Sequence, residues 1–402
     1  MHPLRILLVH NYYRSGTPSG ENQVFDDEFS MLLRHDNEVE KLVRHSDEIS
    51  QKGVFGICQS ALTNLWNPRA IAALRQKVAV YGPDIIHVHN TFPLLSPGIF
   101  RIVGSNSVKV MTLHNYRLYC SSAIPLRKGR PCTACLDSRS IWRSIVYGCY
   151  RNSRRATAPL ALGIALHRSI GTWTRHVDAF IALSEFQKRL MINAGLPAQR
   201  VFVKPNFYSG NPVTIPWDNR GEYAVFAGRL STEKGIENLV RAWLLWGDKA
   251  PELRILGDGP LSSHLKRVSA PFTGKKIQFI GQVPITEVER QIAHSKLLIL
   301  PSVCFETFGM VVLSAFACGT PAAVSEIGPL PTIVQNGKNG IVFSPGEINS
   351  LLKEVRTAWE TPGYLDKLGK GAKATAGNHY TEDANYQILM KIYQAAMNNR
   401  PR

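Results

Sequence analysis

Short apolar runs alternate with amphipathic stretches along most of this chain. Arg5 to His10 (RILLVH), Val39 to Val43, Pro83 to Asn90 (PDIIHVHN) and the segment leading to His114 (VKVMTLH) each read as strands. Several are nearly continuous in apolar residues, which is the pattern of parallel strands covered on both faces. Val24 to Leu33 and Arg69 to Tyr81 have helical spacing, and Ser184 stands as the N-cap of another helix. Tyr208 to Gly221 is rich in Pro, Gly and Asn and reads as a linker. The rhythm then restarts. EYAVFAGRLSTEKGIENLVRAW is strand, loop and helix, and Glu252 to Pro260, Lys276 to Pro284 and Leu297 to Pro301 supply further strands. Helices are expected at Met310 to Cys318, stopped by Gly319 and Pro321, and at Glu347 to Trp359, with Thr381 capping a last one. The expected organisation is α/β, with a first domain over 1–205, a second over 206–384 and a terminal helix over 385–402.

Chemistry concentrates where strands hand over to helices. Phe305 to Gly309 is a polar-aromatic turn between a strand and a helix, so it presents unpaired backbone N–H groups and the positive end of a helix dipole. That is a site for a phosphate. A carboxylate does not bind phosphate, so Glu306 beside it calls for a hydroxyl-rich group attached to the phosphate, such as a sugar. Arg229 and Lys234 frame the loop after the first strand of the second half, suited to neutralising a diphosphate leaving group. The first loop of the chain, with Gly16, Pro18 and Gly20, sits at the carboxyl edge of its strand, where doubly wound folds bind ligands. It is neither a G-x-G-x-x-G fingerprint nor a P-loop.

The run PSVCFETFGMVVLSAFACGTP, from Pro301 to Pro321, resembles the retaining glycosyltransferases of family 4. The resemblance implies the GT-B architecture, two Rossmann-like doubly wound domains facing across a cleft, with the terminal helix crossing back to the first. It implies that Glu306 contacts the transferred sugar, that Arg229 and Lys234 hold the diphosphate, and that Thr307, Phe308, Gly309, Met310 and Val311 form the phosphate-binding turn. It places Gly20 near the donor phosphates, Val283 against the nucleotide base, and His114 close to the transferred sugar. The family pairs Glu306 with a second Glu eight residues on. Here that position is Ser314, which offers one hydroxyl in place of a carboxylate to the ribose. The expected activity is transfer of a sugar from a nucleotide diphosphate sugar, UDP above all, to a polyprenol-diphosphate-linked or glycan acceptor in surface polysaccharide synthesis. The Ser314 departure keeps a second reading open, a non-catalytic glycan- or partner-binding subunit derived from the family.

Charge and cysteine add to this picture. The 402 residues carry a net charge of +17, and 17 Lys and Arg face three acids (Asp137, Asp178, Glu185) between Arg101 and Lys204. An anionic partner is implied for the first domain. Trp142, Ile145, Val146 and Tyr150 lie among Arg139, Arg143, Arg151, Arg154 and Arg155, an interfacial composition that points to an anionic membrane surface. No nucleic-acid module is recognisable. The run Ala158 to Leu166 is too short to span a bilayer, and the N-terminal segment reads as a strand, so a cytoplasmic, peripheral protein is expected. The insertion at about 116–156 holds Cys120, Cys132, Cys135 and Cys149, a candidate four-cysteine structural zinc site or plain small packing residues. His87 and His89 fall on one strand face, but with no third ligand in view they make no metal site. No Asp-x-Asp metal motif is present, and metal-independent chemistry without a cofactor is expected.

Overall fold

The computed structural model describes residues 3–13, 19–50, 63–102, 106–272 and 276–399. Gly16 and Pro18 of the first loop lie outside them, as does the stretch 51–62. The chain divides into two units. One holds the residues up to Pro125, Thr133–Pro205 and those from Asn385 on; the other holds Leu126–Cys132 and Asn206–Ala384.

In the first unit, β1 (Arg5–Tyr12), β2 (Glu38–His45), β3 (Ile85–Val88) and β4 (Val108–Thr112) are joined by β7 (Ala179–Ala182) and β8 (Val201–Val203). They form one parallel sheet in the order β2-β1-β3-β4-β7-β8. β1 runs two residues past the expected end because Asn11 and Tyr12 pair with Arg44 and His45. β8 ends at Val203, and Pro205 just beyond it has no N–H for a ladder. The intervening β5 (Leu126–Arg127) and β6 (Arg130–Pro131) form a small antiparallel hairpin that groups with the second unit.

Helix α1 (Gly20–Arg34) buries Val24, Phe25, Glu28, Met31 and Leu32, the spacing of one helical face. Glu28 therefore sits in an apolar stripe, where a carboxylate is costly unless paired. Helix α2 (Trp142–Tyr147) lies within the basic insertion and α3 (Arg154–Ser169) begins at its end, and Cys135, Ile141 and Ala161 form a small buried core there. The apolar run from Ala158 lies within α3, and no helix among the described residues is long and apolar enough to cross a membrane.

The second sheet has the order β11-β10-β9-β12-β13-β14, again all parallel. Its strands are β9 (Tyr223–Ala227), β10 (Glu252–Leu256), β11 (Ile277–Gly281), β12 (Leu297–Leu300), β13 (Ala322–Ser325) and β14 (Gly340–Phe343). Helix α4 (Ile236–Trp246) buries Ile236, Leu239, Val240 and Trp243 against it, each worth about 1.5–3 kcal/mol of transfer free energy. α5 (Met310–Ala317) follows β12, and α6 (Glu382–Asn398) ends the described chain. Both sheets are of the doubly wound α/β type, as GT-B domains are.

Candidate functional site

In the second unit, two loops at the carboxyl ends of β9 and β12 are fixed to each other. Val303 N–H donates to the Glu233 carbonyl at 3.0 Å. Gly235 has φ +64°, and a Cβ there would lie 1.9 Å from the Pro301 carbonyl oxygen, so only glycine allows this approach. The contact brings Lys234 and Glu306 together. Lys234 Nζ lies 2.7 Å from Glu306 Oε1, and Ser302 Oγ donates to the same oxygen at 2.6 Å. Burial pushes the Glu306 carboxyl up, but the Lys234 ammonium and the two hydrogen bonds outweigh it, and the net shift is downward. Lys234 shows the converse: burial lowers it, Glu306 raises it, and the ammonium is favoured overall. Both groups are charged at neutral pH.

The turn after Glu306 leads into α5. Gly309 is its N-cap, in the left-handed region at φ +102°, and no side chain caps the helix. Among the described residues no acceptor pairs with the backbone N–H of Phe308, Gly309, Met310 or Val311. Phe308 itself is buried, edge-on to Tyr380. Thr307 and Ser314 are half-buried, and Ser314 sits in the second turn of α5. Arg229 is exposed and makes no ion pair among the described residues. Val283 is half-buried just beyond β11. Gly20 is the first residue of α1 in the first unit and is exposed, rather than part of an open loop.

In the first unit the sequence reading missed a buried ionic cluster. Glu28 Oε1 lies 2.9 Å from His87 Nδ1 and 3.1 Å from His89 Nε2, while Lys204 Nζ lies 2.8 Å from Oε2. Lys204 also donates to Asn385 Oδ1 at 3.0 Å, and Tyr393 Oη lies 2.8 Å from His87 Nδ1, so α6 is tied into this cluster. Burial pushes the Glu28 carboxyl up, but Lys204, His87 and His89 hold it well below the usual range. His89 Nδ1 lies 2.9 Å from His114 Nε2. Burial lowers the His89 ring to about 4 and the His114 ring well below its ordinary value. The third group beside His87 and His89 is thus Glu28, which had no signal in strand spacing because it comes from α1. Among the described residues these three are the one set of potential metal-ligand atoms within 4.8 Å of one another. The carboxylate's charge is already balanced by Lys204.

The placement of the thiols corrects the zinc candidate. Cys120, Cys132, Cys135 and Cys149 are thiols that do not converge on a common point. Cys135 is a packing residue beside Ile141, and Cys120 Sγ lies 3.1 Å from Ser122 Oγ.

His114 also lines a pocket, together with the polar Asn115 and Arg117 and the apolar Phe92, Leu160 and Trp173. Asn115 Nδ2 donates to Glu21 Oε1 at 2.9 Å. Burial raises the Glu21 carboxyl, against the opposing effect of Asn115, Tyr13 and Arg117. The Arg117 guanidinium stacks 4.0 Å from the Phe92 ring centre. Glu21 and Arg117 were also missed. The carboxylate next to Gly20 was visible in the sequence, but nothing local showed that its partner lies on a distant strand end.

Two family models match the chain: "Glycosyl transferases group 1" over residues 212–375 and "Glycosyltransferase Family 4" over residues 32–209. The sulfoquinovosyl transferase of Arabidopsis thaliana is 25% identical over 347 residues, 82% of this chain and 60% of that protein. The chain thus spans less than two thirds of this curated relative. Among solved structures, the sucrose-phosphate synthase of Thermosynechococcus elongatus superposes with a TM-score of 0.71 at 18% identity, covering 98% of this chain and 99% of that one. An Anabaena protein, HepE, solved in complex with UDP-glucose, gives 0.64 at 17% identity, covering 97% and 100%.

Proposed function

The chain belongs to glycosyltransferase family 4 and has its GT-B fold, and we propose that it is a retaining enzyme that moves a hexose from a UDP-sugar to a lipid-linked or glycan acceptor. The observation that carries this reading is the head of α5. Four amides without a partner among the described residues, a carboxylate and a paired ammonium meet there, which is a matched set for a sugar linked to a diphosphate. The amides of Phe308 to Val311 would hold phosphate oxygens, with Arg229 and Lys234 supplying positive charge as the leaving group forms. That charge is the ground for expecting no metal requirement. Glu306 would orient hydroxyls of the sugar, and His114 would hydrogen-bond the reacting sugars. UDP is proposed as the nucleotide by analogy with the UDP-glucose complex of the Anabaena protein.

The step we propose is same-face displacement. The acceptor hydroxyl oxygen bonds to the anomeric carbon as the bond from that carbon to the diphosphate oxygen breaks. The hydroxyl proton passes to the departing phosphate oxygen, giving the glycoside and UDP. Surface polysaccharide synthesis is the setting we propose. The exposed Trp142 and Val146 on α2, with Leu162 and Leu166 on α3, lie among the arginines of this region and are suited to an anionic membrane surface.

The test is thermal shift against UDP, GDP, ADP and their sugar conjugates without added metal, followed by assay of donor hydrolysis. A ligand at 100 times its Kd stabilises by about 2.7 kcal/mol. A clear UDP shift together with hydrolysis of one UDP-sugar is expected. Binding without any turnover would instead favour the binding-subunit reading that Ser314 keeps open.

A further inference from the structure

We propose that Glu28 and His89 are positioning residues that fix the tautomer of His114, so that its free ring nitrogen, Nδ1, accepts a hydrogen bond from a substrate hydroxyl. This rests on the glycosyltransferase reading for the identity of that hydroxyl. The relay itself rests on the geometry of the first unit alone.

The direction of the hydrogen bonds follows from the charges. Glu28 is fully buried and has Lys204 Nζ 2.8 Å from Oε2, so its carboxylate is ionised and only accepts. His89 Nε2, 3.1 Å from Oε1, must therefore carry the proton and donate. His89 is neutral, because burial lowers its ring, so its Nδ1 is left as an acceptor. The group facing that nitrogen at 2.9 Å is His114 Nε2, which must then be the protonated nitrogen of His114. The reverse chain would aim a lone pair of His89 at a carboxylate. His114 is neutral as well: burial disfavours its charge most, His89, His10 and Lys204 add to that, and Glu28 opposes it. Its Nδ1 is then an acceptor. That atom has no partner among the described residues, and it is not among the buried polar atoms left without one. His114 lines the pocket beside Asn115 and Arg117.

A neutral ring offering a lone pair cannot hold a phosphate, and it suits a hydroxyl donor. The pocket thus separates two chemistries: His114 takes a hydroxyl, and any anion falls to Arg117. The relay links α1, β3 and β4 through side chains with 2% or less exposure at Glu28 and His89, so the ring of His114 is set by packing rather than by solvent.

The direct test needs no variant. Long-range nitrogen–proton spectra of the full chain labelled at histidine should show His89 and His114 both as Nε2–H tautomers, neutral from pH 8 down to 5.5. A His114 ring protonated at Nδ1, or titrating near 6.5, would overturn the proposal. His89→Phe supplies the functional arm. It should release His114 into a mixture of tautomers and lower kcat at least tenfold, with the thermal shift by UDP unchanged. Unchanged kcat in that variant, with the tautomer lost, would also overturn it. The expected tautomers in a protein that transfers no sugar would sink the glycosyltransferase reading and leave the relay standing.

Discussion

Lys234 and Glu306 share one short ion pair, 2.7 Å between Nζ and Oε1, in the loops that follow β9 and β12. The cation assigned to a diphosphate and the carboxylate assigned to a sugar are thus held by each other before any ligand arrives. Both lie largely out of solvent, with side-chain exposures of 27% and 12%. The pair keeps each group charged and in place, so little reorganisation is needed when a sugar diphosphate binds.

Glu306→Gln keeps the shape and one acceptor oxygen but removes the charge. Ser302 retains a partner, and Lys234 keeps access to water. We expect transfer to fall by about 100-fold or more, the scale seen when one preorganised polar group is lost from a site, with the melting point nearly unchanged. Steady-state assays beside a melting curve decide this, and near-normal turnover would refute the sugar-orienting role of Glu306.

Arg229 and Lys234 should separate in behaviour although both are assigned to the diphosphate. Arg229 is exposed and makes no ion pair among the described residues, so Arg229→Ala should change stability by less than about 0.5 kcal/mol. Lys234→Ala leaves Glu306 largely buried without its cation and should cost about 1–3 kcal/mol. Both should weaken UDP binding at least tenfold by calorimetry. Equal stability losses, or undiminished UDP affinity in either variant, would count against the assignment.

The second unit was legible because its site is built from local motifs. Glu306 and the amides of α5 stand within six residues of each other, and Lys234 follows its strand by a short loop. Strand runs and turn glycines report such neighbours directly. The pairing of Lys234 with Glu306 was not legible, since it depends on Gly235 meeting Pro301 across the sheet edge. The first unit was less legible still. Glu28, His89 and Lys204 come from a helix, a strand end and the end of β8, and only the fold brings them together. The four cysteines show the opposite failure, a suggestive spacing with no shared point in space.

The first unit should lose stability between pH 6.5 and 4. Burial lowers His89 to about 4 and His10 to about 3, and lowers His114 too, against 6.5 for an exposed ring. As pH falls through that window the unfolded chain binds protons that the folded chain refuses, so folding is disfavoured. For His89 alone the loss approaches about 3 kcal/mol by pH 4. Glu28 acts in the same direction at the acid end of that window: its folded value is depressed, so its contribution is complete well above the ordinary carboxyl value and is lost as pH falls from about 5 downward. Because two units can unfold separately, hydrogen exchange at β3 is the appropriate readout. Protection at Ile85 to Val88 should fall as pH drops from 6.5 to 4.5, after correction for intrinsic exchange. A flat profile would mean that these rings are not held neutral in the fold.

The exposed face of α2 and α3 gives the last prediction. Trp142 is 52% exposed and Val146 60%, one turn apart on the same helix, while Ser144 between them is buried. Arg143, Arg151, Arg154 and Arg155 are exposed around them. Apolar tips without a basic surround would bind any bilayer weakly, and arginines without apolar tips would bind only by charge. Together they require both an anionic surface and an acyl boundary. Flotation with vesicles containing phosphatidylglycerol should therefore recover the protein, and vesicles of phosphatidylcholine alone should not. Raising salt from 0.1 to 0.5 M should reduce recovery without abolishing it, since the apolar part is not screened. Trp142→Ser with Val146→Ser should lower the partition coefficient at least tenfold and change the melting point little, because more than half of each residue's surface is already in solvent. Equal recovery on neutral vesicles, or no effect of the double substitution, would remove the membrane from the reading and leave the basic face to a soluble anionic acceptor.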